Sequence, residues 1–302
     1  MEKKSEIDLF GASALTAFAL LLAFNQVVIK ITNGGIQPVF FAALRSFGAL
    51  FCLYLWLRWR GIAIRFPEGA IFPGIVTGIF FSIEFLFLFI ALDHTTVARS
   101  GIIFYSMPVW LALAGHIVLP DDRLTPVKAL GLVIALGGVA WALLGRSPET
   151  GGSLFGDLAA LIAAMGWAGL TVMTKGSGLK QARPEMQLLI QLMVSGPLLL
   201  LAAFFFGPFV RDLAPVHLAG LGFQIVIVVT AGYVFWLWLL SIYPASGVAS
   251  FSFLSPVFSV ILGWALLKET ISPDIIVSLV LVAVGITLVN RPRRRRQVPQ
   301  NV

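Results

Sequence analysis

The stretch from Ala98 to Leu144 reads ARSGIIFYSMPVWLALAGHIVLPDDRLTPVKALGLVIALGGVAWALL: an apolar segment with a proline at its middle, a short charged turn, and a second apolar segment opening on Thr-Pro. Ser250 to Val289, SFSFLSPVFSVILGWALLKETISPDIIVSLVLVAVGITLV, repeats that plan. Pro108 matches Pro256 and Gly115 matches Gly263, each pair 148 residues apart; after a one-residue slip in the turn, Pro126 matches Pro273 and Gly138 matches Gly285, 147 apart. Earlier parts of the chain follow suit, Gly11 with Gly156 and Lys30 with Lys175 at 145, Pro38 with Pro184 and Arg45 with Gln191 at 146. Self-similarity at this span means a duplicated unit of five segments, so the chain is two copies of one half.

Working outward from that unit, hydrophobic residues fill 59% of the 302 positions and charged ones only 12%, with a mean hydropathy of +0.96. A soluble domain is nearer 25% charged and has no room to hide so much apolar surface. The reading is an all-α polytopic membrane protein. Apolar runs long enough to cross about 30 Å of hydrocarbon as helices fall ten times, near 9–30, 38–58, 69–92, 96–119 and 126–145, then 154–174, 185–206, 216–241, 246–267 and 273–290. The predicted division is an N-terminal segment 1–8, a first five-helix repeat 9–145, a linker 146–153, a second repeat 154–290 and a basic tail 291–302. The N-terminus has mixed charge and no small-residue cleavage site, so no signal peptide is read there.

Lysine and arginine set the expected orientation. With the N-terminus in the cytoplasm, fifteen of them fall on the inner side and four (Lys30, Arg146, Arg211, Lys268) on the outer. That asymmetry places both termini in the cytoplasm of a cell (inner or plasma) membrane. Five spans per half then make the second repeat upside down relative to the first. Inverted repeats are the architecture of secondary transporters, with the substrate site near the midplane where the repeats meet.

Several functions find no support. Cys52 is the single cysteine, and His94, His116 and His217 lack ligand spacing, so neither a disulfide framework nor a metal site is expected, and no cofactor. Five of the seven net positive charges sit in the tail Arg291-Pro292-Arg293-Arg294-Arg295-Arg296. A polybasic run after a last span is a topology anchor that touches anionic lipid rather than a nucleic-acid patch. No catalytic spacing of Ser/His, paired Asp or HExxH falls on the spans, so an intramembrane enzyme is disfavoured.

An ionisable side chain in hydrocarbon costs on the order of 2.5–3.5 kcal/mol even on the lenient insertion scale. Arg45, Glu84 and Arg99 stand well inside spans, about 10, 12 and 6 Å deep by helical rise. Glu84 could neutralise one arginine and leave the other for a substrate carboxylate; a structural ion pair, or an Arg99 that snorkels outward, is the competing reading. Asn25, Gln26, Tyr105 and Ser252 join the candidate substrate contacts, as do the mid-span aromatics Trp167, Tyr233 and Trp236, against the alternatives of interhelical glue and core packing. Pro108 and Pro256 interrupt equivalent spans and free backbone carbonyls that lipid would not satisfy, so they are expected to line the pathway as hinges. Gly131, Gly137, Gly138 and Gly285 are expected to let helices approach closely.

Two halves of five spans, each ending in Ser-x-Pro-Val-like, acidic-turn and Thr/Ser-Pro elements, resemble the EamA domains of the drug/metabolite transporter superfamily. Leu254-Ser255-Pro256-Val257 followed by Leu267-Lys268-Glu269 is close to that pattern; the first copy departs from it with Met107 before Pro108 and Asp121-Asp122 in place of a glutamate. The resemblance implies a ten-helix exporter of small metabolites working by alternating access, and extends to YddG-type aromatic amino-acid exporters. Its partners would be a small-molecule substrate and membrane lipids, the chain being a monomer or weak homo-oligomer. An organic-cation or multidrug carrier, a nucleotide-precursor transporter and a passive channel are the alternatives.

Overall fold

The computed structural model describes residues 7–119, 124–145, 151–243 and 251–290. The Asp121-Asp122 turn, most of the linker and the basic tail lie outside them, so those readings stand without a structural counterpart. Among the described residues the regular structure is helical, with a single isolated β-bridge between Ile36 and Val210. The helices are α1 (Leu9–Asn33), α2 (Pro38–Trp59), α3 (Ile71–His94), α4 (Val97–Phe104), α5 (Met107–Val118), α6 (Pro126–Leu144), α7 (Leu154–Gly176), α8 (Pro184–Ala203), α9 (Pro215–Phe223), α10 (Gly232–Ile242), α11 (Leu254–Leu267) and α12 (Pro273–Val289), and a π-helical stretch, Gln224–Ala231, joins α9 to α10. Eight helical segments are long and apolar enough to cross a membrane, and α11 and α12 are shorter apolar helices.

Local chemistry accounts for the boundaries. Thr125 and Ser272 cap α6 and α12 by accepting from the backbone N–H three residues on, and each is followed by a proline in the first helical position, which has no N–H to satisfy. Ser153 and Thr96 cap α7 and α4 in the same way. Pro108 produces a break rather than a smooth kink: α4 stops at Phe104, Tyr105 and Ser106 form a turn, and α5 starts at Met107 with the proline as its second residue. The proline has no N–H for the Phe104 carbonyl, and its ring clashes with that carbonyl in a continuous helix. Pro256 sits comparably, as the third residue of α11, after a turn at Phe251–Phe253.

The halves interlock by pairing equivalent parts. The fifth span of each packs on its counterpart (α6 on α12), as does the second (α2 on α8); α1 packs on α11 as α7 does on α5. Glycines set the α6–α12 approach. A Cβ on Gly131 would meet Leu288, one on Gly138 would meet Leu281, and one on Gly285 would strike Ala135, so the two helices run antiparallel. Gly137 departs from expectation: nothing lies within 4 Å of the place its Cβ would take. It follows Gly138's contact face by about 100° of helical turn, which points it away from α12.

Polarity is arranged inside out. Phe51, Trp59, Phe72, Leu144, Phe205 and Trp264 are among the exposed large apolar side chains, while Arg45, Arg99, Gln26, Ser100 and Asp157 are buried. Such an exterior is at home in lipid and not in water.

Candidate substrate site

One layer of polar groups crosses the bundle. Counting about 1.5 Å per residue from the helix ends at Asn33, Pro38, His94, Val97 and Pro215 places Asn25, Gln26, Arg45, Glu84, Tyr105 and Gln224 about 10–15 Å in. Those five ends lie together at the end of the bundle where α1 finishes, the distal end, bound by hydrogen bonds from Asn33 to the Phe89 carbonyl, Lys30 to the Thr95 carbonyl and Arg211 to both Asp93 and the Asn33 carbonyl.

At the centre of the layer is the Asn25-Gln26 pair of α1. The Gln224 amide, at the start of the π-helix, donates to the Asn25 side-chain oxygen. Gln26 faces the other way, toward the broken span: its amide oxygen lies beside Gly101, and the Tyr105 hydroxyl is turned toward it without reaching hydrogen-bond geometry. Gln26 is fully buried, and neither atom of its amide has a hydrogen-bond partner; the Ser100 hydroxyl and the Gln224 amide oxygen are also buried and unpartnered. Buried amides left unpaired cost about 1–3 kcal/mol each. A π-helix and a helix break on either side of such a group are the kind of irregular backbone that membrane proteins keep for ligand sites.

The second focus is Arg45, 1% exposed on α2. Its guanidinium lies 3.6 Å from the centroid of the Phe85 ring and 5.3 Å from that of Phe89, and its Nε and one terminal nitrogen are buried with no acceptor. Glu84, also buried, precedes Phe85 on α3 and acts on Arg45 through its charge, without an ion-pair contact; among the described residues its carboxylate accepts no hydrogen bond. Phe81, Phe85, Phe89 and Phe41 form a run of edge-to-face contacts beneath the guanidinium.

Arg99 is held elsewhere. Asp157 of α7 pairs with it at 2.7 Å, both side chains being at most 1% exposed, while Thr95 donates to the same carboxylate at 2.7 Å and Arg99 also donates to the Ala142 carbonyl. The neutralising partner is therefore Asp157 and not Glu84, and two of the three guanidinium nitrogens of Arg99 are engaged within the protein. Trp167 stacks on Phe104 at 5.2 Å, so it backs the end of α4. Tyr233, Trp236 and Ser252 fall nearer the opposite end, hydrogen-bonding the Pro184 carbonyl, stacking on Phe18 at 5.0 Å and accepting from Asn290, respectively. The fold thus gathers Asn25, Gln26, Arg45, Glu84 and Tyr105 in one layer and leaves the other candidates outside it. Gln224 and Phe85 lie at the same depth, with Ser100 and Phe89 about 5–8 Å in by the same count; none of the four was among the candidate substrate contacts, and Asp157 gave no signal beyond being an acid in a helix's first turn.

The architecture agrees with what comparison shows. The EamA-like transporter family model matches twice, over residues 9–144 and 154–291, and the chain belongs to that family of the drug/metabolite transporter superfamily. Among its relatives are the uncharacterized transporters YoaV and YvbV of Bacillus subtilis (strain 168), 23% and 26% identical; the first alignment covers 94% of this chain and 98% of the relative, the second 91% and 92%. An uncharacterized transporter of Archaeoglobus fulgidus is 25% identical over 84% of this chain and 88% of its own. A protein of known crystal structure, 23% identical, has the same fold with a TM-score of 0.64, over 92% of this chain and 97% of that one. The chain is a membrane transporter by family, and its substrate is a small molecule.

Proposed function

We propose that the protein is a secondary transporter that exports an amino acid, aromatic or hydrophobic in its side chain, by alternating access between two inverted five-span repeats. Antiparallel packing of the equivalent helices α6 and α12 supports the inversion, and the two α4/α5 and α9/α10 irregularities flanking α1 support a site between the repeats.

The observation that carries the substrate class is Arg45. A buried, unpaired guanidinium costs several kcal/mol, of which a phenylalanine face at a desolvated site returns about 2 kcal/mol. A substrate carboxylate offsets the remainder with charge-assisted hydrogen bonds. Glu84, one residue from the ring on which Arg45 rests, then takes the substrate ammonium, and the aromatic run takes its side chain. The amides of Gln26 and Gln224 supply uncharged contacts.

Thermal stabilisation of the purified protein across an amino-acid panel, followed by counterflow in liposomes, tests the reading. Phenylalanine or a similar amino acid is expected to stabilise the protein and to exchange, whereas phenylethylamine, which lacks the carboxylate, does neither. Equal stabilisation by the amine alone would instead favour an organic-cation carrier, a second reading that rests on the unpartnered Glu84 carboxylate.

A further inference from the structure

We propose that Glu269 is a releasable latch between the two repeats: its carboxylate grips the N-terminus of α4, the outer half of the broken fourth span, and letting go frees that half-helix to swing and open the distal end. The inference rests on the alternating-access reading and names the part that moves.

The grip is specific. The Val97 N–H donates to one carboxylate oxygen of Glu269 at 2.7 Å and the Ala98 N–H to the other at 3.0 Å, so a second-repeat side chain satisfies two of the first-turn amides of a first-repeat helix. Those amides carry the positive end of the helix, where a carboxylate is favoured. The sequence builds the reach. Lys268 closes α11 in a left-handed conformation, φ 56°, which turns the chain back, and the Glu269 N–H returns to the Gly263 carbonyl at 3.1 Å. A side chain at Gly263 would occupy the place of the Glu269 carboxylate. Lys30 stands alongside, donating to the Leu92 and Thr95 carbonyls at 3.1 and 2.6 Å, and its charge acts on Glu269.

What the latch holds is the element that reaches the candidate site. α4 carries Ser100 and ends at Phe104, and the turn at Tyr105–Ser106 separates it from α5, so it is joined to the rest of its span by a break. The other ties at this end also bridge the repeats: Arg211 to Asp93 at 2.7 and 2.9 Å, Gln37 to the Ala203 carbonyl at 2.7 Å, and the Ile36–Val210 bridge. At the opposite end Tyr243 donates to Asp8 at 2.7 Å. Glu269 and the Arg99–Asp157 pair are the ties that act on the half-helix α4 itself, and Glu269 is the one that holds its first-turn amides.

Two cysteine reporters in a Cys52→Ser background, labelled in micelles without substrate, test this independently of what is transported. Ser100→Cys lies one turn below the latch at a fully buried position, and Ser252→Cys lies at the opposite end, at the turn before α11. In Glu269→Ala the Ser100→Cys thiol is expected to label roughly tenfold faster or more, the effect of losing a charge-assisted hydrogen bond, while Ser252→Cys labels more slowly. Glu269→Asp, one methylene short, gives the same reciprocal change in smaller measure and serves if the alanine variant does not fold. Faster labelling at both positions means general loosening and overturns the latch, as does no change at either. A protein that shows the reciprocal change but binds no amino acid keeps the latch and loses the substrate assignment.

Discussion

Arg45 and Arg99 are both buried guanidinium groups, and their surroundings separate a ligand contact from a structural one. Arg99 is paired with Asp157 and also donates to the Ala142 carbonyl. Removing one partner of such a pair leaves an uncompensated charge and costs about 3–5 kcal/mol, whereas replacing both by apolar groups is often near neutral. Asp157→Asn is accordingly expected to lower the thermal denaturation midpoint in micelles strongly, and the double variant Arg99→Met, Asp157→Leu to recover most of it. Arg45→Gln should behave in the opposite sense. Taking an unpaired cation out of the interior leaves stability unchanged or raises it, while stabilisation by amino acids disappears; a large loss of stability in Arg45→Gln would show that the guanidinium is structural. The sequence singled out Arg45, Glu84 and Arg99 but neither Asp157 nor its pairing with Arg99, because which helices touch is settled by packing across 58 residues of chain, and Asp157 looks like an ordinary first-turn acid.

The elements tell a similar story about what a pattern of residues can reveal. Both span-interrupting prolines were visible as matched positions, and the break before Pro108 follows from proline chemistry. The π-helix was not visible, since Gln224–Ala231, QIVIVVTA, has the composition of any apolar helix and its i→i+5 bonding leaves no mark in the residue pattern. Pro108→Ala and Pro256→Ala are expected to leave a folded protein whose transport rate falls; unchanged turnover in both and in the double variant would make the breaks static. Glu269 adds a pH dependence. Burial pushes its carboxyl above the ordinary value of 4.5 in the latched state, against the pull of the Val97 and Ala98 amides and Lys30. The latched state therefore binds a proton more tightly than the released one, so the contribution is full below the ordinary value and is lost as pH rises through the raised one. Among the described residues, Asp93 and His94 of α3, Arg99 of α4, Asp157 of α7, Arg211 and Asp212 before α9, His217 of α9, Lys268 after α11 and Asp274 of α12 are the other titratable or charged groups at this end. Labelling of Ser100→Cys, normalised to a cysteine at the exposed Phe205 position, should rise with pH in the parent protein and stay level in Glu269→Gln. A response that persists in Glu269→Gln would belong to His94 or another neighbour.

At the scale of the whole molecule, the duplication was the most legible feature, because a repeat of some 147 residues leaves matched glycines and prolines that survive drift in everything else. The proposed inversion rests on the lysine and arginine count and on the antiparallel α6–α12 seam. Reporter fusions after Leu144 and after Val302 should report opposite sides, outside and inside respectively; the same side for both would contradict an odd number of spans per half.

The Arg99–Asp157 pair also says something about the order in which the chain is assembled. At about 5–20 residues per second, Asp157 follows Arg99 out of the ribosome by about 3–12 s, and for that interval the arginine lacks the acid that pairs with it in the folded protein. The first repeat therefore reaches its final packing only once α7 has been inserted beside α3 and α4, the helices it packs on. Synthesis halted in the linker would leave a five-span fragment with a bare charge in lipid, unable to mature alone.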